Sequence, residues 1–438
     1  MKVAWFSPLP PARSGVADYS MSLLPELSRH ASVTLWTDQA VWDPIVEEYA
    51  EVRQYQPDTL KWEALNRADA SIYNLGNHPV FHGAIWQVSR QHAGIVVLHE
   101  RCLQHFFMGL YSQMNDPAGY ASQMERYYGR EGASAARACL DGRWTTDDLA
   151  ERFPLTLLAL ENASGVFVHT VDLFERLKQE IELPIGYAPL PHSTGCDGNE
   201  PSSESKGPPY RLILFGHLGF NRRLDAVLEA LGTLEGREMF RLDIYGTCDD
   251  RERVESQLRK HGLVAHVSVN GFVSKQELDR ALSLAHLAIN LRYPSMGESS
   301  LSQLRIWEHR LPSLVTRTGW YATLPEDAVA FVGVETEIAD IHNHLWALAS
   351  DPGRFAEMGE TGYRFLREHH SPQRYVEALF KLTESSLESE SVSVAFDLAQ
   401  RAGRAMAGLW GDRIPEEVSR KAALEILALS PDLLTPDS

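Results

Sequence analysis

Cysteine is scarce in this chain, with four residues among 438: Cys102, Cys139, Cys196 and Cys248. They lie far apart and form no CxxC pair, so the sequence indicates neither a zinc knuckle nor a disulfide framework. We therefore expect free thiols and a reducing compartment.

Positive charge is also in deficit: 41 Lys and Arg face 59 Asp and Glu, for a formal net charge of −18. Nucleic-acid binders carry a basic footprint, so we expect no nucleic-acid partner. No run of 18 apolar residues occurs, and the apolar run Val3–Phe6 is too short for a signal peptide. We expect a cytoplasmic protein, and leave open a peripheral contact with the inner face of the membrane.

Short apolar runs alternate with amphipathic stretches along most of the sequence. The runs that we predict as strands are Val3–Phe6, Ser32–Trp36, Ala70–Asn74, Ile95–Leu98, Gly165–Val168, Leu212–Phe215, Arg241–Tyr245, Val267–Asn270, Leu287–Asn290 and Ser313–Val315. Near-continuous apolar strands separated by helices are typical of a parallel sheet covered on both faces. The predicted fold class is therefore α/β, with two doubly wound Rossmann-like domains facing a central cleft.

The domain boundaries follow from composition. Residues 191–209 are rich in Pro, Gly, Ser and charge, which is typical of a linker. This linker separates a first domain, 1–190, from a second domain, 210–370. We expect a helical insertion at 112–160, a helix at 371–385 that returns to the first domain, and a helical extension at 386–438.

Three loops that follow predicted strands carry residues suited to binding an anion. They contain Gly15, the pair Arg222 and Arg223, and the segment Gly297–Leu301. Amides at a helix start, arginine side chains and one carboxylate, Glu298, could together hold a phosphate and a sugar hydroxyl. Each loop alone is equally explained as an ordinary strand-to-helix turn, a solvated helix start or a helix cap. The chain has neither a GxGxxG nor a Walker motif, which argues against dehydrogenases and P-loop enzymes.

Read in order, the motifs resemble the GT-B glycosyltransferases of family 4, which are retaining and use nucleotide sugars. The resemblance spans about residues 1 to 385. It is carried by FGHLGFNRRLDAVLEAL, LDIYG, VNGFVSKQELDRAL, AINLRYPSMGESS and LPSLVTRTGWYATLP, in that order. It implies the GT-B fold and a glycosyltransferase of the hexosyltransferase type.

The resemblance also implies roles for particular residues. The catalytic residues would be Glu298, which touches the transferred sugar, and His99, which lies near the donor sugar. The donor diphosphate would meet Gly15, His217, Arg222 and the helix-start residues Ser299, Ser300 and Leu301, in a helix predicted at Ser299–His309. The nucleotide would meet Gly271, Phe272, Val273 and Arg305.

Two positions depart from the family pattern. The second glutamate of the family's pair is replaced by Ile306, with Arg305 beside it, and Glu308 could substitute only from the correct helix face. A second basic residue of the diphosphate site is replaced by His217, and histidine as a residue type carries less positive charge at neutral pH than lysine or arginine. Ribose recognition and the strength of the phosphate site depend on these replacements.

We expect no metal or other cofactor, because no DxD-type motif with suitable ligands is present and fixed cations can neutralise a diphosphate. The expected partners are a GDP- or UDP-linked sugar and a glycan or lipid-linked acceptor in envelope or exopolysaccharide synthesis. A homo-oligomer is left open. The alternative is a non-catalytic GT-B partner subunit, which His217 and Arg305 favour. A nucleotide-sugar 2-epimerase would need further carboxylate and histidine pairs, which we cannot place.

Overall fold

The computed structural model describes residues 1–193, 207–248, 250–388, 406 and 416–427. Most of the predicted linker 191–209 and much of the predicted extension 386–438 therefore lie outside the described residues. Within the extension, one helix is described at Glu416–Leu427.

The first half of the chain forms a parallel sheet. In chain order its strands are β1 (Lys2–Phe6), β2 (Ser32–Thr37), β3 (Glu51–Gln54), β4 (Ala70–Leu75), β5 (Gly94–Leu98), β6 (Ala163–Val168) and β7 (Ile185–Tyr187). Their order across the sheet is β3-β2-β1-β4-β5-β6-β7. The order reverses beside β1, so the carboxyl ends of β1 and β4 border the crevice where such sheets bind ligands.

Helices cover both faces of this sheet. They are α1 (Gly15–His30), α2 (Trp62–Leu65), α3 (Pro79–Ser89), α4 (Gln104–Gln113), α5 (Pro117–Leu140), α6 (Thr146–Ala150), α7 (Thr156–Ala159) and α8 (Val171–Glu180). The Ser14 side chain caps α1 by accepting from Val16 N, and Tyr19, Leu23 and Leu27 form its buried face at helical spacing. Helices α4 to α7 lie between β5 and β6, where the sequence predicts a helical insertion.

The second half repeats the architecture. Its strands are β8 (Tyr210–Phe215), β9 (Phe240–Tyr245), β10 (Val267–Gly271), β11 (Leu287–Asn290), β12 (Ser313–Thr316) and β13 (Ala330–Val332). Their order is β10-β9-β8-β11-β12-β13, with all pairs parallel. The surrounding helices are α9 (Leu224–Thr233), α10 (Arg251–Lys260), α11 (Lys275–Leu284), α12 (Leu301–Glu308), α13 (Glu337–Ser350) and α14 (Pro352–His369).

The predicted fold class is confirmed: the chain has two parallel α/β sheets, each flanked by helices. All ten predicted strands are present. The sequence missed β3, β7 and β13, which lie at edges of the two sheets. An edge strand pairs on one side only, and β3 and β7 have no fully buried residue, so they lack the apolar signal of a central strand.

A last helix, α15 (372–388), returns to the first domain. Tyr375 on α15 shares a hydrogen bond with Tyr19 of α1, with 2.7 Å between their hydroxyl oxygens. One buried apolar cluster contains Trp5 of β1, Trp307 of α12 and Tyr375, so it joins both domains and α15. In the part of the chain that the structure describes, no helix is both long enough and apolar enough to cross a bilayer.

Candidate active site between the two sheets

The carboxyl ends of the two sheets face each other, and their loops touch. Gly15 opens α1 opposite the start of α12, and a Cβ atom placed on Gly15 would lie 3.4 Å from Leu301 Cδ1. The amides of Arg101 and Cys102, which follow β5, both donate to the Met296 carbonyl at 2.9 Å. The loops after β1, β5 and β11 therefore border one interdomain site.

The helix at the centre of this site starts later than predicted. The prediction Ser299–His309 is wrong at its start, because α12 runs from Leu301 to Glu308 with Ser300 as its N-cap. Ser300 Oγ accepts from Gln303 N at 3.2 Å, so this side chain closes the first turn. The first-turn amides of Leu301 and Ser302 have no partner within the helix and can bind an anion.

Arg222 is buried at the end of the loop that follows β8. Its Nη1 donates to Asn290 Oδ1 at 2.8 Å, and its Nη2 lies 3.5 Å from Ser302 Oγ. Among the described residues, its Nε has no hydrogen-bond partner and its guanidinium forms no ion pair with a carboxylate. Burial, followed by the charge of Arg292, lowers the pKa of Arg222 to about 9.

The neighbouring Arg223 has a different environment. It forms a bidentate ion pair with Glu337 of α13, with Nη2 2.6 Å and Nε 2.9 Å from the carboxylate oxygens. Arg223 also has a φ of +56°, in the left-handed region that few residues other than glycine adopt. The two adjacent arginines therefore have different roles: Arg222 lies at the site, whereas Arg223 binds α13 through Glu337.

Glu298 is buried in the loop that leads to α12. Its Oε2 accepts from Met296 N at 2.7 Å and from Ser295 Oγ at 3.3 Å. Its Oε1 lies 3.3 Å from Nε of Arg292. Ser299 Oγ, one residue along, is buried without a hydrogen-bond partner among the described residues.

Glu100 is a site residue that the sequence analysis missed. It is the second residue after β5 and lies close enough to Glu298 and Arg292 for their charges to act on it. Burial raises the pKa of Glu100 to about 8, with the Glu298 carboxylate as the second cause, while Arg292 and hydrogen bonds from Asn77 act in the opposite direction. A charged residue two positions after a buried strand was the available signal for Glu100 and for Arg292, which is the second residue after β11.

His99 lies beside Glu100 at the same edge. Its Nε2 is 3.2 Å from Asn74 Oδ1, and its ring packs edge-on against Tyr19, with 4.8 Å between ring centroids. Burial, with His169 and His82 nearby, lowers the pKa of His99 well below its usual 6.5. The imidazole is therefore neutral at physiological pH and can hydrogen-bond a sugar hydroxyl.

Other predicted residues line the outer part of the cleft. His217 is exposed, with its Nδ1 3.2 Å from Thr247 Oγ1. Gly271, with a φ of +71°, is the last residue of β10 at the edge of the second sheet, and Phe272 and Val273 follow it. The Phe272 ring is 61% exposed and is covered on one face by Arg13 of the first domain, with Cζ 4.3 Å from the ring centroid.

The structure does not give Arg305 a free side chain for a nucleotide. Its Nη2 lies 2.7 Å from Asp279 Oδ1 and 3.2 Å from the Lys275 carbonyl, both on α11. Ile306 is buried in the core, and Glu308 lies 2.9 Å from His192 Nε2. As placed, none of these side chains supplies the free carboxylate that the family pattern has here.

The arrangement as a whole is suited to binding a polyanion. A buried arginine without a carboxylate partner, the first amides of α12 and the buried Ser299 hydroxyl lie along one side of the site. Glu298, Glu100 and His99 lie nearby and offer hydrogen-bonding groups to sugar hydroxyls. Among the described residues, no group of three His, Cys, Asp or Glu side chains could hold a metal ion.

Comparisons with known proteins give a family match and similar folds. Residues 198–365, which include every strand of the second sheet, match the family described as Glycosyl transferases group 1. No protein of curated function matches the chain.

Similar solved structures cover nearly the whole fold. Sucrose-phosphate synthase from Thermosynechococcus elongatus has a TM-score of 0.60 at 14% identity, over 88% of this chain and 98% of that one. WaaG, a glycosyltransferase involved in lipopolysaccharide biosynthesis, has a TM-score of 0.56 at 12% identity, over 86% and 98%. HepE from Anabaena, solved with UDP, has a TM-score of 0.53 at 12% identity, over 88% and 100%. At these identities the likeness shows a common fold.

Proposed function

We propose that the chain is a glycosyltransferase that moves a sugar from a nucleoside-diphosphate sugar to a glycan or lipid-linked acceptor with retention of anomeric configuration. The match of residues 198–365 to the family Glycosyl transferases group 1 and the fold shared with solved glycosyltransferases support this proposal. The setting that we propose is synthesis of a cell-envelope polysaccharide or exopolysaccharide. HepE was solved with UDP, which makes UDP-sugars the first donors to test.

The observation that supports this proposal most is the environment of Arg222. A buried guanidinium that lacks a carboxylate partner among the described residues, with an unpaired Nε, is unfavourable unless an anion binds beside it. The first amides of α12 and the buried Ser299 hydroxyl are close at hand. A diphosphate has the charge and the acceptor oxygens that would satisfy all these groups.

The same groups account for the chemistry. In the proposed step the bond between the anomeric carbon and the diphosphate oxygen breaks, and the acceptor oxygen bonds to that carbon from the same face. The acceptor hydroxyl gives its proton to the departing phosphate, so the protein supplies no nucleophile. Arg222 and the amides of Leu301 and Ser302 would stabilise the charge that develops on the leaving diphosphate.

Glu298 and His99 would hold the transferred sugar. The Glu298 carboxylate already accepts from Met296 N and pairs with Arg292, so its orientation is fixed before substrate binds. A fixed carboxylate and a neutral imidazole can accept from or donate to sugar hydroxyls without reorganisation. The acceptor would enter from the first domain, because the second domain's loops surround the diphosphate.

The test is release of nucleoside diphosphate from UDP-, GDP- and ADP-sugars by the full chain, with and without oligosaccharide acceptors. We expect one nucleotide to be released faster when acceptor is present, and the product to keep the donor's anomeric configuration by NMR. Tight nucleotide-sugar binding with no release from any donor would instead favour the non-catalytic alternative.

A further inference from the structure

A second cavity lies at the carboxyl edge of the first sheet, away from the donor site. It has a volume of about 550 Å³ and is lined by residues at the carboxyl ends of β2 and β3 and in the segment after β3, chiefly Trp36, Arg53, Gln54, Tyr55, Gln56 and Lys61. We call it the β2–β3 pocket. All strands of this sheet are parallel, so the pocket opens on the same edge as Gly15 and His99.

Two buried donors in the pocket wall lack partners. Trp36 Nε1 and Tyr55 Oη are buried, each residue 4% exposed, and neither atom has a hydrogen-bond partner among the described residues. Their rings are fixed by packing against each other and against Phe6, with centroids 6.4 Å and 5.2 Å from Tyr55. Unpaired buried donors cost free energy, and both of these atoms belong to residues that line the pocket.

The charge of the residues that line the pocket favours an anionic ligand. Among the described residues, the lining contains two cations, Arg53 and Lys61, and no carboxylate, in a chain whose net charge is −18. The Arg53 guanidinium lies over Trp36, with Cζ 5.6 Å from the ring centroid, and pairs with Glu51 outside the lining at 2.9 Å. For Lys61 no ion pair is found in the described part of the chain. Side-chain amides of Gln54 and Gln56 add further donors and acceptors.

We propose that the β2–β3 pocket binds an anionic sugar unit of the acceptor, one that carries a carboxylate or a phosphate. The pocket's size, its aromatic wall, its amides and its two cations together fit such a unit. This inference rests on the proposed function, because an acceptor is required only if the chain transfers sugar.

The position of the pocket sets the length of the acceptor. β2 and β5 are three strand spacings apart in the sheet order, which is about 14 Å at about 4.8 Å per spacing. The sugar in the pocket is therefore distinct from the sugar whose hydroxyl reacts beside His99. The acceptor would be an oligosaccharide whose anionic unit lies a few units from its reacting end.

The test measures binding by saturation-transfer NMR on the full chain, using D-glucuronate, D-glucose 6-phosphate and D-glucose as probes. We expect one or both anions to bind at least fivefold tighter than glucose. The preferred anion distinguishes a carboxylate from a phosphate. The double variant Arg53→Gln/Lys61→Ala should lose this preference, while the matched variant Arg176→Gln/Lys178→Ala on the exposed face of α8 should keep it.

Two results would overturn the inference: equal binding of glucose and the anions, or unchanged anion binding in the Arg53→Gln/Lys61→Ala variant. UDP and GDP binding is measured in the same samples. If the nucleotides fail to bind but the anions bind through Arg53 and Lys61, the proposed function fails and the pocket stands. If the nucleotides bind and the anions do not, the proposed function stands and the inference about the pocket fails.

Discussion

At the scale of single residues, the adjacent arginines Arg222 and Arg223 differ in what they can contribute to the proposed donor site. Arg222 forms hydrogen bonds with Asn290 and Ser302 and keeps one donor free, whereas Arg223 is held by Glu337. The sequence presents them as equivalent, because neither spacing nor residue type distinguishes them. Only the structure shows that they have different partners, Asn290 for Arg222 and Glu337 for Arg223.

Arg222→Ala should weaken binding of UDP or GDP. A charge-assisted hydrogen bond is worth about 1.5–3 kcal/mol, which corresponds to roughly a 10- to 150-fold rise in Kd. Isothermal titration calorimetry measures this directly.

The matched control is Arg223→Ala. It should lower the free energy of unfolding by up to about 3 kcal/mol, because it leaves the buried Glu337 carboxylate unpaired. It should leave nucleotide affinity within about twofold of the original. Equal losses of affinity in both variants would place the diphosphate elsewhere.

Glu298→Gln should reduce turnover by roughly 10²-fold or more, because the amide carries no charge at the proposed sugar site. The variant should stay folded, since Glu100 remains beside Arg292 and the amide oxygen can still accept from Met296 N. Initial rates of nucleotide release and a thermal melt check both statements. Glu326→Gln, which removes an exposed carboxylate paired with Arg317, is the control and should leave both unchanged. Full activity in Glu298→Gln would exclude the assigned role.

Glu100 should make stability depend on pH. Its pKa is about 8 in the folded chain against an ordinary 4.5, so the folded state holds a proton that the unfolded state has released between these values. Stability must therefore fall as pH rises from about 4.5 to about 8. Between pH 5 and pH 9 the melting temperature of the Glu100→Gln variant should fall less than that of the original chain. Parallel melting curves for the two proteins would contradict the raised pKa.

At the scale of elements, the central strands were predictable and the edges were not. Continuous apolar residues predict the strands Leu212–Phe215 and Ile95–Leu98, because central strands are buried between helical layers. The segment Glu51–Gln54 has a single apolar residue, a valine, between charged and polar residues. It is recognisable as a strand only from its pairing with β2. The start of α12 was missed because serine is suited both to a cap and to a first turn.

The candidate site was predictable in part for the same reason. Gly15, Arg222 and Glu298 follow strands in sequence, so a parallel sheet brings them to one edge. Glu100 and Arg292 follow strands too, yet their roles come from contact between two domains. No pattern within one strand–helix unit reports which loops of another domain will lie opposite.

The loop before α12 also tests how the domains meet. Gly297 has a φ of +81°, and a Cβ atom there would lie 2.6 Å from Arg101 Cβ in the first domain. Gly297→Ala should therefore both strain the backbone and push the two loops apart, which lowers turnover at least tenfold. The measurement is the rate of nucleotide release alongside a thermal melt.

Gly142→Ala is the matched control for that variant. Gly142 has a φ of +71° with nothing within 4 Å of its Cβ position, so it carries the backbone strain without the interdomain contact. It should lose about 1–2 kcal/mol of stability and keep its turnover. If both variants lose turnover equally, the contact between residues 297 and 101 is not needed for activity.

At the scale of the molecule, two α/β domains and a returning helix enclose a cationic site in an acidic chain. The net charge of −18 repels anions over much of the surface, whereas Arg222 and Arg292 lie buried at the junction of the domains. An anionic donor bound there would gain its binding free energy at the junction. Binding there touches both domains at once and would favour their close approach.

The most direct test of this account is a crystal structure of the full chain with UDP or GDP, using whichever nucleotide binds. We predict diphosphate oxygens within about 3 Å of the Arg222 guanidinium and of the Leu301 or Ser302 amide. The base should lie towards Gly271–Val273. A diphosphate bound away from Arg222, with that guanidinium still lacking an anion, would contradict the account.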